Sequence, residues 1–261
     1  MSSPDFVVGT VPYLNACPLV DWFHFDGKDS GVTVIDAVPS QLSKLITSGD
    51  VAVGLVSTLQ AIVQPGMFTV DDVGVAATGA VESVRLFSKC PITSIESVAL
   101  DHSSNTSNVL LQILLAKRYE KSCHFEHHQP DLSFMTSSAD AALLIGDNGY
   151  AKIDSFPFVY DLGQEWLDWT GLPFVYAVWT ASNPIPPVLI SHLHQAYDWG
   201  VEHLEFLAGI RAAKHGTTVP RALHYFTEVM EYRLDQRHQD GLALYTSYVR
   251  ELQSTLVMHQ H

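Results

Sequence analysis

The chain has 261 residues, 47% of them apolar and 16% charged, enough to bury a substantial core and too apolar for disorder. Fourteen basic residues against 28 acidic ones leave a formal charge of −14, which excludes nucleic acid and an anionic membrane surface as expected partners. Three cysteines, Cys17, Cys90 and Cys123, are an odd number without CxxC spacing, as expected of reduced thiols rather than a disulfide framework or a zinc site. The opening MSSPDFVVGTVPYLN lacks a basic, apolar leader, and no apolar run approaches the roughly 20 residues of a membrane span. A cytoplasmic location is therefore expected, and the sequence specifies no oligomeric state.

In chain order, Phe6–Thr10 reads as a buried strand, followed by the turn-rich VPYLNACP. Val32–Ala37 is a second strand. Pro39 then opens a helix whose apolar Leu42, Leu45 and Ile46 share one face, and Gly49-Asp50 stops it. Val51–Val56, Val73–Ala77 and Val84–Ser88 follow as strands. Val98–Leu100 leads through the polar run Asp101–Ser107 into a helix over Val109–Tyr119, then a weak strand near Cys123–Glu126. Ala141–Ile145 and Tyr176–Thr180 complete the strands, and helices cover Val188–Ala213, Pro220–Met230 and Asp240–Leu252. Strands alternating with helices predict an α/β protein. The late helices have no sheet of their own, so they are expected to return to the first lobe. That gives lobe one as 1–89 with 182–261, lobe two as 90–181, and a ligand cleft between them.

Four segments carry polar groups where an open α/β sheet takes its ligand, beyond the carboxyl ends of strands. Tyr13 and Asn15 follow the first strand; Asn15 either donates and accepts hydrogen bonds to a ligand or caps the next helix. Ser103, Ser104, Asn105, Thr106 and Ser107 open a helix, and five hydroxyl or amide residues exceed what a cap requires. Helix-start amides attract an anion whatever the net charge, so a carboxylate or phosphate site is favoured there. Ser83 and Arg85 offer a donor and a bidentate clamp, or a surface-paired arginine. Gly146 permits close backbone approach, and Asp147 is an acid, a base or a cap.

Other signals lead nowhere. His124, His127 and His128 lack HExxH spacing and read as a solvated loop. Ser57 stands in LVSTL, not in a nucleophile elbow. No Walker or dinucleotide fingerprint is present, so no cofactor is expected. Trp166, Trp169, Phe174, Tyr176 and Trp179 line a pocket or, more simply, pack a core.

Taken together, VGTVPYLNACPLV, VAVGLVSTLQAI, the stretch from Ser83 to Tyr119, ADAALLIGDNGY, YDLGQEWLDWTGLPFVYAVW and YRLDQRHQDGLALY resemble the chorismate dehydratases of the futalosine route to menaquinone. They occur in the family's order from Val8 to Tyr245. The resemblance implies a two-lobed fold of the type II periplasmic-binding kind, without a transport function. It implies loss of water from chorismate, a dicarboxylate, to give 3-[(1-carboxyvinyl)oxy]benzoate. It carries Asn15 into the active site and places Ser103, Ser104, Thr106 and Ser107 beside the substrate. Tyr13, Ser57, Ser83, Arg85, Asn105, Gly146, Asp147 and Phe174 complete the expected binding set.

Two departures stand out. Pro12 occupies a position where members commonly have Ser, and His102 one where they commonly have Thr. A sibling naphthoate synthase of the same pathway usually carries an SPCPNDT motif, which this chain lacks. A cytosolic sensor for a small carboxylate is the alternative from a different class, since fold does not fix function.

Overall fold

Two sheets, each interleaved with helices, organise the chain. The computed structural model of the protein describes residues 6–102, 105–150 and 156–258. From β1 (Phe6–Thr10) a 3-10 turn, Leu14–Ala16, leads into α1 (Cys17–Val20), and a second turn, Asp21–His24, precedes β2 (Val32–Asp36). Then come α2 (Pro39–Ser48), β3 (Val53–Ser57), α3 (Thr58–Val63) and β4 (Phe68–Ala77). The second run begins with β5 (Val84–Ser88), β6 (Ser97–Asp101) and α4 (Asn105–Ile113), which a π-helical turn extends to Arg118. It continues with β7 (His124–His128), α5 (Leu132–Ser138), β8 (Ala141–Ile145), α6 (Gly146–Tyr150), β9 (Phe158–Asp161) and α7 (Leu162–Thr170). The last run is β10 (Phe174–Ala181), α8 (Pro187–Glu202), α9 (Leu204–Arg211), α10 (Val219–His224), β11 (Glu231–Arg233) and α11 (Gln236–Met258).

The first sheet has the order β11-β4-β10-β3-β1-β2, with β1 parallel to both neighbours and β10 antiparallel to β3. The second has the order β7-β6-β8-β5-β9, with β6 parallel to β7 and β8 and β5 antiparallel to β8 and β9. Central strands are the uninterrupted apolar runs: every residue of β8 is buried, as expected of an interior strand. In the first sheet's core, Leu42 and Ile46 of α2 pack on Val51 and Val56. In the second, Phe87, Ala99, Met135 and Ala142 meet. Each such side chain contributes on the order of 1.5–3 kcal/mol by leaving water.

The chain divides into unit 1, residues up to Ala76 with Val175–Asp235, and unit 2, Ala77–Phe174 with residues from Gln236 onward. These boundaries differ from the expected 89/90 and 181/182. β5 pairs with β8 and β9, so the chain has left the first sheet before Val84. The last helix also departs from expectation. Tyr245 of α11 donates its hydroxyl to the Thr106 carbonyl and Glu251 pairs with Lys117, so α11 belongs to unit 2 rather than returning to the first. The long helix expected over Val188–Ala213 breaks at His203 into α8 and α9. α4 begins at Asn105, four residues earlier than its apolar pattern suggests, because its first turn is built from Asn, Thr and Ser.

Candidate functional site

In unit 1, β1 and β3 lie side by side and parallel, with Val8 opposite Val53 and Gly9 opposite Gly54, so their carboxyl ends share one edge. Tyr13 and Asn15 follow β1 over that edge, and Ser57 ends β3. All three are half-buried. Asn15 sits inside the 3-10 turn, and α1 is capped by Ala16 without any side-chain bond, so Asn15 is not a helix cap. Among the described residues its amide has no hydrogen-bond partner. A half-buried amide left open at a strand's carboxyl end is suited to a ligand.

Two contacts hold this loop from below. Buried Asp21 receives two parallel bonds from Arg211 of α9, at 2.8 Å from Nε and 2.6 Å from Nη2. The hydrogen bonds to Asp21 hold the Arg211 guanidinium above its ordinary range. At Gly200, α8 lies directly on the Pro18 carbonyl, where a side chain would collide with backbone.

In unit 2, Val84 pairs with Ile145 in the antiparallel β5–β8 ladder, and β8 runs parallel to β6. The start of β5 and the ends of β6 and β8 therefore share one edge. That edge brings together Ser83, Arg85, Asp101, Thr106, Ser107, Gly146 and Asp147. Ser83, Asp101, Thr106 and Ser107 are buried there, while Asn105 is exposed and Gly146 and Asp147 are half-buried. Ser103 and Ser104 lie outside the described residues. Asn108 Nδ2 donates to the Asp101 carbonyl at 2.8 Å, tying the first turn of α4 to the end of β6. The Ile145 amide lies 3.4 Å from the Asp101 carboxylate.

Arg85 donates from Nε to the Gly149 carbonyl at 2.6 Å, and its guanidinium lies 5.2 Å from the Phe87 ring centroid. It is thus fixed to α6 as well as standing near Ser83. Phe174 is buried among Trp166 and Tyr245, with ring centroids 5.4 and 5.0 Å away, so its ring is core rather than surface. Trp166 and Trp179 are fully buried too, in keeping with the core reading of the aromatic segment.

Sequence reasoning missed Asp161. Its carboxylate accepts from the backbone amides of Val81 (2.9 Å), Glu82 (2.7 Å), Gly163 (3.0 Å) and Gln164 (3.2 Å). It caps α7 and fixes the turn before Ser83 at once, and that turn holds Glu82 at φ 59°, a left-handed conformation costly for a residue with a side chain. Burial pushes its carboxyl above the ordinary range, against the pull of those four amides. The signal was present: Asp161 followed three residues later by Gln164 has the spacing of a helix start.

The histidine segment is not a loop but the edge strand β7. His124 and His128 flank Glu126 at 3.0 and 3.4 Å, and the hydrogen bond with His124, with His128 nearby, holds its carboxyl below the usual range. His102 is exposed, with Nε2 3.3 Å from the Gln129 amide nitrogen. Among the described residues, no group of three or more His, Cys, Asp or Glu has the arrangement to hold a metal ion. No described helix is long and apolar enough to cross a membrane.

Comparison with known proteins gives the same outline from another direction. The family model described as menaquinone biosynthesis matches residues 6–251. A chorismate dehydratase of Thermus thermophilus is 32% identical over 257 residues, covering 91% of this chain and 92% of that protein. A crystal structure of a protein from Archaeoglobus fulgidus superposes with a TM-score of 0.70 at 14% identity, over 94% of this chain and 96% of that one. The periplasmic aliphatic sulphonate binding protein of Escherichia coli superposes with a TM-score of 0.67 at 15% identity, over 96% and 88%. Likenesses at such identities establish the fold, which is of the periplasmic-binding-protein kind.

Proposed function

Since the chain belongs to the menaquinone-biosynthesis family, we propose that it is a chorismate dehydratase, converting chorismate to 3-[(1-carboxyvinyl)oxy]benzoate and water in the cytoplasm. The observation that carries this reading is the end-to-end match to the Thermus protein of that activity. The polar residues at the two strand-end edges support it.

In this reaction a proton leaves the ring carbon that bears the enolpyruvyl ether. Its C–H electron pair becomes the new ring double bond, and the neighbouring carbon releases hydroxide, which takes up a proton as water. The ring carboxylate acidifies the departing proton through the conjugated system, and aromatisation drives the step. The protein then needs to orient the substrate and stabilise charge more than it needs a strong acid or base. The start of α4, with Thr106 and Ser107, holds one carboxylate, and Ser83 and Arg85 assist with another. Asn15 donates to the reacting part of the ring. A carboxylate of chorismate itself takes the proton, so Asp147 is not the base. No cofactor enters this scheme.

Initial rates with chorismate test these roles. Asn15→Ala should lower kcat by about 10²-fold, the usual loss when one positioned donor is removed from a reacting centre. Unchanged turnover would remove Asn15 from the chemistry. Asp147→Asn should stay within a few-fold of wild type, and a collapse of its kcat would install Asp147 as the base.

A further inference from the structure

Tyr245 is not among the groups that the reaction scheme uses, yet it reaches the turn to which that scheme assigns a carboxylate. It lies in α11, which follows the last strand of unit 1 in sequence and packs in unit 2. Its ring is buried between Trp166 and Phe174, 6.3 and 5.0 Å between centroids, and its hydroxyl donates to the Thr106 carbonyl at 3.1 Å. Burial pushes that phenol far above its ordinary range, so it remains a hydrogen donor at every working pH.

The Thr106 carbonyl and the Ser107 N–H belong to one planar peptide unit. Thr106 and Ser107 stand in the first described turn of α4, and the N-terminal end of a helix attracts anions through its dipole. A donor placed on the carbonyl oxygen fixes the plane of this peptide and polarises it, withdrawing electron density from its own N–H. Bonds chained through one amide strengthen one another by roughly 10–30%. Asn108 secures the same turn from the other side through the Asp101 carbonyl.

We infer that Tyr245 is a positioning residue for the carboxylate of chorismate: its hydroxyl orients and polarises the Thr106–Ser107 peptide at the start of α4. This rests on the functional reading given above. The reading assigns the turn to substrate, and the inference adds the group that sets its geometry from behind.

Tyr245→Phe keeps the ring among Trp166 and Phe174 and removes only the hydroxyl. It should raise KM for chorismate about three- to tenfold, the size of one net hydrogen bond, with kcat changed less than about twofold. Tyr248→Phe is the matched control. Tyr248 lies one turn further along α11, 5.2 Å from the Trp169 ring centroid and stacked on it, and among the described residues its hydroxyl has no hydrogen-bond partner. Its KM should equal that of wild type. A structural role alone would lower the thermal stability of Tyr245→Phe without splitting KM from kcat.

A second readout is independent of turnover. In the amide spectrum of the isotope-labelled protein, the Ser107 nitrogen should shift upfield in Tyr245→Phe and stay in place in Tyr248→Phe. An unshifted Ser107 resonance, or an unchanged KM in folded Tyr245→Phe, would overturn the inference. Absence of chorismate turnover in the wild type would instead overturn the functional reading, and the resonance would still decide whether Tyr245 sets the peptide.

Discussion

Gly149 shows how closely single residues are constrained around the second unit's strand ends. A Cβ built there would lie 2.8 Å from the Leu144 carbonyl oxygen and closer still to that of Ser83, and neither neighbour is a flexible side chain. Gly149→Ala should therefore cost about 1–3 kcal/mol in urea unfolding, the range for overpacking a close contact. It should also displace Ser83 and the carbonyl that holds Arg85, so kcat/KM should fall more than stability alone accounts for. Stability and kcat/KM both at wild-type values would show that α6 yields easily. At this scale the sequence was partly legible. Gly146, Asp147, Ser83 and the Thr106–Ser107 pair were visible as polar or small residues after apolar runs. Gly149 and Tyr245 were not, because what matters about each includes a hydrogen bond to a main-chain carbonyl, made across 64 residues for Gly149 and 139 for Tyr245.

Among elements, the junctions carry the testable electrostatics. Asp140 precedes β8 and accepts from the amides of Glu96 and Ser97 and from the Ser97 hydroxyl, all at 3.0 Å, so it ties β8 to the start of β6. The Glu96 amide, with the Ser97 groups, holds its carboxyl below the ordinary range. A depressed folded-state pKa means the contribution is fully present above the unfolded value of about 3.9 and is lost as pH falls through the lower, folded value. Asp140→Asn should flatten the fall of stability below about pH 4, and since the site is largely solvated its effect at neutral pH should be only about 1 kcal/mol. An unaltered acid limb would show that Asp140 does not report on folding.

Asp161 is the stronger case. Replacing it with Asn turns one acceptor oxygen into a donor facing backbone amides, at a cost of about 2–3 kcal/mol, and releases the strained turn at Glu82. Retained stability in that variant would mean that the turn holds itself. Both junctions explain why element boundaries were hard to read. The helix Leu162–Thr170 and the strand Phe158–Asp161 were absent from the sequence-based expectation, since the run YDLGQEWLDW mixes the two periods around its own cap.

For the whole molecule, the α/β class and the interior strands were readable from periodic apolar runs. The exact crossings and the home of α11 were not, because pairing partners rather than local pattern decide them. Family membership came from the long ordered set of motifs, which no single segment could replace. The formal charge of −14 has a consequence at this scale for a dianionic substrate. Raising ionic strength from about 0.01 M to about 0.1 M shortens the screening length from roughly 30 to roughly 10 Å and should raise kcat/KM for chorismate several-fold. A steady fall with salt would mean that local positive potential at the site outweighs the net field.

The most direct measurement is of mass. Purified protein, incubated with chorismate in the presence of a metal chelator and without added cofactor, should yield a product lighter than chorismate by one water and with benzoate absorbance. Chorismate that binds but is recovered unchanged would contradict the dehydratase reading and leave a binding protein for a small carboxylate.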